Sequence, residues 1–130
     1  MTVVLDSWAV LRLLEGTEPA ASRVQTELDR EVSPVMSWIN LGEVFYVVRR
    51  LHGHEEAESV VRDLRPRLDL DLPDAERVLE AATIKADHAM AYADAFAAAT
   101  ALAHQAPLLT GDPELLLPSA PWAYEDLRSS

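Results

Sequence analysis

The chain has 130 residues, 49% of them apolar, a formal net charge of −11 and no cysteine. That length and apolar content fit one domain with a real core, and the missing thiols exclude a disulfide framework or a thiolate metal site. The acidity denies the chain the counterion-release affinity of a nonspecific nucleic-acid binder, while favouring a cation or a basic partner. No apolar run approaches transmembrane length, and the start "MTVVLDSW" lacks the basic and apolar regions of a signal peptide. A cytoplasmic protein without a membrane anchor is expected. Lys85 is the only lysine, so arginine supplies the remaining positive charge, and its fork suits carboxylates and phosphates.

In chain order, "TVVL" (2–5) predicts a short strand ending at Asp6. "SWAVLRLLEG" follows as a helix, with Trp8, Leu11 and Leu14 at helical spacing and Gly16 as its stop. "TEPAASRVQTELDREV" predicts a second helix with Pro19 in its first turn. "SPVMS" (33–37) is extended. "WINLGEVFYVVRRLHG" is a strongly periodic helix whose Trp38, Leu41, Phe45 and Val48 form one stripe before Gly53. "HEEAESVVRDLRP" is a shorter helix stopped by Pro66, and "RLDLDL" alternates like a strand. "PDAERVLEAATIKADH" is a helix opened by Pro73 and Asp74, and the alanine-rich "AYADAFAAATALA" (91–103) is another. "APLLT" predicts a strand, "GDPE" a loop and "SAPWAY" a last edge strand. Short apolar strands joined by helical crossovers imply an α/β domain with a mainly parallel sheet covered on both faces.

Ligands of such sheets sit beyond the carboxyl ends of the strands. Asp6 ends the first strand, and Asp112 follows "PLLT" through Thr110 and Gly111. Each has an ordinary explanation: Asp6 or Ser7 as a helix cap, "GDP" as turn chemistry. Glu43 interrupts the strongest apolar helix with Ile39, Asn40, Tyr46 and Val47 as its same-face neighbours. Asp94 stands among Ala91, Ala97 and Ala98. Neither has a cation at helical spacing. Glu43 could simply face water, and Asp94 could simply favour the helix macrodipole. One shared explanation covers all four acids. Clustered carboxylates raise one another's pKa, and a hard divalent ion with oxygen ligands keeps them ionised. Such a site can activate water and hold a phosphodiester.

The ordered set "VVLDSWAVL", "SPVMSWINLGEVFYVV", "AYADAFAAATALA" and "LLTGDPEL" resembles the PIN-domain ribonucleases, in particular the VapC-type toxins of toxin–antitoxin pairs. The resemblance covers essentially the whole chain. It implies a single-domain α/β/α sandwich with a central parallel sheet. It further implies a magnesium- or manganese-dependent endoribonuclease with one or two ions. Matched motif by motif, Asp6, Glu43, Asp94 and Asp112 take the places of the family's catalytic, metal-holding acids. Thr110 takes the place of a hydroxyl residue that would hold water or orient a carboxylate behind the metal. Many relatives carry serine two or three residues before the third aspartate, where this chain has Tyr92 and Ala91. The resemblance also implies an RNA substrate, a homodimer and a cognate antitoxin that can place an arginine in the acidic site.

Other features carry weaker readings. Asp69, Asp71 and Asp74 in "DLDLPDA" could form the acid cluster of a receiver or an aspartyl phosphatase. An alternating strand followed by a helix cap explains them better, since no lysine follows "APLLT" and Trp8 stands where a phosphatase wants its second acid. "HGH" (52–54) and "DH" (87–88) lack partners at zinc spacing. Glu114, and less so Asp87, could support the main four from behind. Two divalent ions would leave the chain at −7, so an RNA path needs a local arginine patch, with Arg12, Arg49 and Arg50 as candidates. Trp38, Phe45 or Val48 could serve either a dimer face or the core. The alternatives to the nuclease are a PIN-fold module that binds without cleaving, and a receiver-like phosphoacceptor at Asp6.

Overall fold

A computed structural model describes residues 1–128. The elements in chain order are β1 (Val4–Leu5), α1 (Ser7–Glu15), α2 (Ala20–Leu28), β2 (Val35–Ser37), α3 (Trp38–His52) and α4 (His54–Leu64), followed by a 3-10 turn at Arg65–Arg67. Then come β3 (Asp69–Asp71), α5 (Ala75–Asp87), α6 (Tyr92–His104), β4 (Leu108–Thr110) and β5 (Tyr124–Asp126). The strands form one sheet in the order β3-β2-β1-β4-β5, and every pairing is parallel. Val4 stands opposite Val35 on one side and Leu108 on the other. Among the described residues no helix is long and apolar enough to cross a membrane.

Strand side chains alternate between faces, and this splits the core in two. Val3, Leu5, Met36 and Leu109 pack under α1, α2, α3 and α4, with Val10, Val24, Leu41 and Val44. Val4, Val35 and Leu108 pack on the opposite face under α5 and α6, with Ala81, Ile84 and Phe96. The result is the expected α/β/α sandwich with a parallel centre. Small side chains let α6 lie close against the strands: Ala95, Ala97, Ala98, Ala99 and Ala101 are all buried. The chain runs outward from β1 to β2 and β3, then returns to β4 on the other side of β1. The direction therefore reverses between β1 and β4, the crevice where open α/β sheets bind ligands.

Local chemistry sets the helix ends. Asp74 caps α5 by accepting the Arg77 N–H at 2.9 Å. Gly16 ends α1 at φ 72°, a left-handed conformation that costs glycine nothing. Pro19 sits just before α2, which is shorter than its periodicity suggests and stops at Leu28. The stripe Trp38, Leu41, Phe45 and Val48 turns to the core, with Leu41 and Val48 buried and the two aromatics packed against the same cluster. The exposed apolar residues of α3 are instead Ile39, Tyr46 and Leu51. The last strand lies later than "SAPWAY" suggests, at Tyr124–Asp126. Trp122 is held ahead of it, buried, with its indole N–H donating to the Leu115 carbonyl at 3.0 Å.

Candidate metal centre

Asp6 follows β1 and caps α1: its Oδ1 accepts the Ala9 N–H at 2.8 Å. The helix-cap explanation is therefore correct, and the carboxylate is also 1% exposed. Its Oδ2 accepts the Thr110 hydroxyl from the end of β4. The same hydroxyl oxygen accepts the Asp112 N–H at 3.0 Å. Thr110 thus couples the two strand-end acids across the reversal point. Burial pushes the Asp6 carboxyl up to about 7; the Thr110 and Ala9 hydrogen bonds oppose this, and the charges of Asp112 and Glu43 add to it. Asp112 makes its expected turn as well, since its Oδ1 accepts the Glu114 N–H at 2.9 Å.

Between Thr110 and Asp112 stands Gly111, pressed against the Trp8 ring. A Cβ at this position would lie 2.3 Å from the indole, closer than any side chain tolerates. The turn that carries Asp112 therefore closes onto α1 only because residue 111 has no side chain. The guanidinium of Arg12 lies over the Trp8 ring, 5.0 Å from its centroid.

Asp94 enters from the first turn of α6 and is 8% exposed. One carboxylate oxygen each from Asp94, Asp112 and Glu114 falls within 4.8 Å of the others. Burial pushes the Asp94 carboxyl up to about 9, and hydrogen bonding to Glu114 and the charges of Asp112 and Asp6 push the same way. Glu114 responds oppositely. Its hydrogen bonds with Asp94 and with the Ala91 N–H, at 3.1 Å, hold it below the ordinary glutamate range. It thereby satisfies an N-terminal donor of α6, whose own cap residue, Ala91, has no side chain able to do so. Glu114 stands closer to the centre than its place in the loop suggests: it joins the cluster directly.

Glu43, half-buried on α3, accepts from the Tyr46 hydroxyl at 3.3 Å and contributes its charge to Asp6. One turn before it, Asn40 is completely buried. Its Nδ2 donates to the Ala93 backbone carbonyl at 3.0 Å and to the Ser7 Oγ at 3.3 Å, while the Ser7 hydroxyl donates to the Asn40 backbone carbonyl at 3.1 Å. Neither residue stood out as part of a site. The signal in the chain is a polar amide one turn before Glu43 on an otherwise apolar helix.

The candidate arginines all have local partners. Arg12 pairs with Glu15, Arg49 donates to His54 at 3.2 Å, and Arg50 lies over Tyr46. Asp71, away from the cluster, pairs with Arg77 at 2.9 Å and His104 at 2.7 Å. Burial pushes its carboxyl up, but the His104 and Arg77 hydrogen bonds outweigh that and hold it below the usual range. This is a structural ion cluster, as the strand-and-cap explanation of "DLDLPDA" requires.

The converging oxygens suit a hard divalent ion. One oxygen from each of Asp94, Asp112 and Glu114 lies within 4.8 Å of the others, within reach of a single ion held by oxygen ligands. A cation there would oppose the burial, and the charge of the acidic neighbours, that raise Asp6 and Asp94. No histidine or thiolate takes part in this cluster; its donors are all carboxylate oxygens, the kind that hard divalent ions take.

A family model described as PIN domain matches residues 3–118. Among solved structures, VapBC-1 from nontypeable Haemophilus influenzae superposes with a TM-score of 0.76 at 18% identity, covering 99% of this chain and 100% of that one. DNA-bound VapBC from Salmonella typhimurium gives 0.75 at 19% identity, covering 98% of each chain. Mycobacterium tuberculosis VapC20, a Sarcin-Ricin loop cleaving toxin, gives 0.72 at 16% identity, covering 87% of this chain and 92% of that one. Comparison with curated protein sequences finds no match.

Proposed function

The chain belongs to the PIN domain family, and on that premise we propose that it is a magnesium- or manganese-dependent endoribonuclease, the VapC-type toxin of a toxin–antitoxin pair. The observation that carries this reading is the convergence of Asp94, Asp112 and Glu114 at the strand reversal, with Asp6 and Glu43 close enough to act on one another's charge. Asp94, Asp112 and Glu114 would hold one ion, and Asp6 and Glu43 would complete its surroundings or hold a second. A divalent ion bound there would make water more acidic and offset charge developing on a phosphodiester. The protein's part is to orient these carboxylates. Thr110 fixes the Asp6 carboxylate by donating to it, and Glu114 fixes the start of α6 through the Ala91 N–H. An ionised carboxylate of the cluster can take the proton released when water attacks phosphorus in line.

An antitoxin partner fits a second feature. Leu11, Leu14, Val47, Leu51 and Val60 line a groove of about 450 Å³ between α1, α3 and α4. Leu14 and Leu51 there are 41% and 69% exposed. Such a groove suits the apolar face of an amphipathic helix, and a chain of net charge −11 would draw in a basic one. The exposed Ile39 and Tyr46 of α3 fit a homodimer contact. A cytoplasmic location suits an RNA substrate.

Manganese titration by calorimetry, paired with RNA cleavage by the wild type and Asp94→Asn, tests the reading. Metal binding and cleavage by the wild type, both lost in the variant, support it. Unchanged affinity and cleavage in the variant would sink the site assignment. A wild type that binds manganese but cuts no RNA would point to the module that binds without cleaving.

A further inference from the structure

We propose that Asn40 is the positioning residue of the metal centre, the buried clamp that sets the spacing between its acids; this rests on the metal-dependent reading above. Asn40 touches none of the carboxylates. It touches the backbone or side chain next to them. Both protons of its amide are committed, one to the Ser7 Oγ and one to the Ala93 carbonyl. Ser7 is the neighbour of Asp6, Ala93 is the neighbour of Asp94, and Asn40 itself lies one turn before Glu43. A single side chain therefore joins the start of α1, which Asp6 caps, to α3 and α6, which carry Glu43 and Asp94.

The orientation of the amide is fixed by chemistry. A carbonyl such as that of Ala93 can only accept, so the nitrogen must face it. The Ser7 hydroxyl spends its proton on the Asn40 carbonyl and is left free to accept the amide. Asn40 is 0% exposed, so water offers no substitute for either bond. Its Oδ1 has no hydrogen-bond partner. Retaining an amide with an unmet acceptor in an apolar core costs stability. A residue selected for packing alone would be apolar. The two amide bonds tie the residue after Asp6 to the residue before Asp94 and so hold the end of β1 and the start of α6 at a fixed separation.

The test uses metal affinity as its readout, because a purely structural residue would not move it. Manganese affinity is measured by calorimetry, and melting temperature beside it, for the wild type, Asn40→Ala, Ser7→Ala and Val24→Ala. Val24 is a core residue of α2 outside the centre. Asn40→Ala is expected to weaken manganese binding about tenfold or more, as loss of outer supports does in metal sites. Ser7→Ala removes one of the two amide bonds and should weaken it less. Val24→Ala should lower the melting temperature and leave the affinity at its wild-type value. In cleavage assays the manganese concentration for half-maximal rate should rise in Asn40→Ala, with the rate recovering at saturating manganese. Wild-type affinity in both Asn40→Ala and Ser7→Ala overturns the proposal, as does an affinity loss in Val24→Ala that matches theirs at equal loss of stability. Should Asn40→Ala fail to fold, Ser7→Ala decides alone. A wild type that binds no manganese overturns the metal reading and this one together, whereas binding that ignores the clamp overturns only the clamp.

Discussion

Replacing Asp94 by asparagine should stabilise the protein when no metal is present, and the gain should depend on pH. Burial and its acidic neighbours raise this carboxyl from 3.8 to about 9 in the fold. Between those values the unfolded chain is ionised at this residue and the folded chain is protonated. A raised folded pKa contributes stability that is complete below about pH 4 and drains away as pH climbs toward 9. The slope is about 1.4 kcal/mol per pH unit, so the wild type should lose about 4 kcal/mol relative to Asp94→Asn between pH 4 and pH 7. For a chain of 130 residues that is a melting difference of about 15 °C. The substituted amide keeps the shape and can still donate to Glu114, so the response of Glu114 largely cancels between the two proteins. Melting curves in chelator at pH 4, 5, 6 and 7 provide the measurement. Adding manganese at a hundred times its dissociation constant should return about 2.7 kcal/mol to the wild type and little to the variant. Parallel pH profiles, or a variant less stable than the wild type at pH 7 in chelator, would refute the electrostatic reasoning.

Other substitutions probe the supports. Thr110→Val removes the hydroxyl that serves both Asp6 and Asp112; it should cost about 1–3 kcal/mol and weaken manganese binding, read by melting and calorimetry. Gly111→Ala drives a methyl group into the Trp8 ring and should lower both stability and cleavage, with Trp8→Ala restoring part of the cleavage in the double variant; no restoration would locate the strain elsewhere. Asp74→Ala deletes the α5 cap and should cost about 1 kcal/mol while leaving manganese affinity unchanged, which separates this acid from the cluster. Leu51→Glu, in the groove between α1, α3 and α4, should abolish binding of the proposed antitoxin without changing the proposed RNA cleavage, checked by co-purification and assay.

The layered fold and the order of four acids are legible in the chain because they rest on local signals. Apolar strands, periodic helices and an acid just past a strand each need only a few neighbouring residues. What escapes is contact between distant segments. Glu114 reads as a supporting acid because it lies near Asp112 in sequence, but its bond to the Ala91 N–H, twenty-three positions earlier, is not legible there. Asn40 and Ser7 are likewise joined across thirty-three positions. The stripe on α3 shows a periodicity but not a direction: Trp38, Phe45 and Val48 go inward, leaving Tyr46 and Leu51 outside. The final strand is displaced because the Trp122 indole bond to Leu115 holds "SAPW" as a loop. The arginines chosen for an RNA path are drawn to nearby acids, rings and His54, which charge counting along the chain cannot foresee.

The two hydrogen bonds of Asp6 have a consequence for how inactive forms of this protein are made. One oxygen starts a helix and the other holds the end of β4, so truncating this residue to alanine would disable the centre and loosen the scaffold in the same stroke. Loss of activity in such a form would say nothing about which had failed. Asparagine at the same place keeps an oxygen for the cap, and an exchange at Asp94 spares the cap altogether. A form with a silenced centre but an intact fold, the kind needed to test the proposed function, is best sought through α6 rather than through β1.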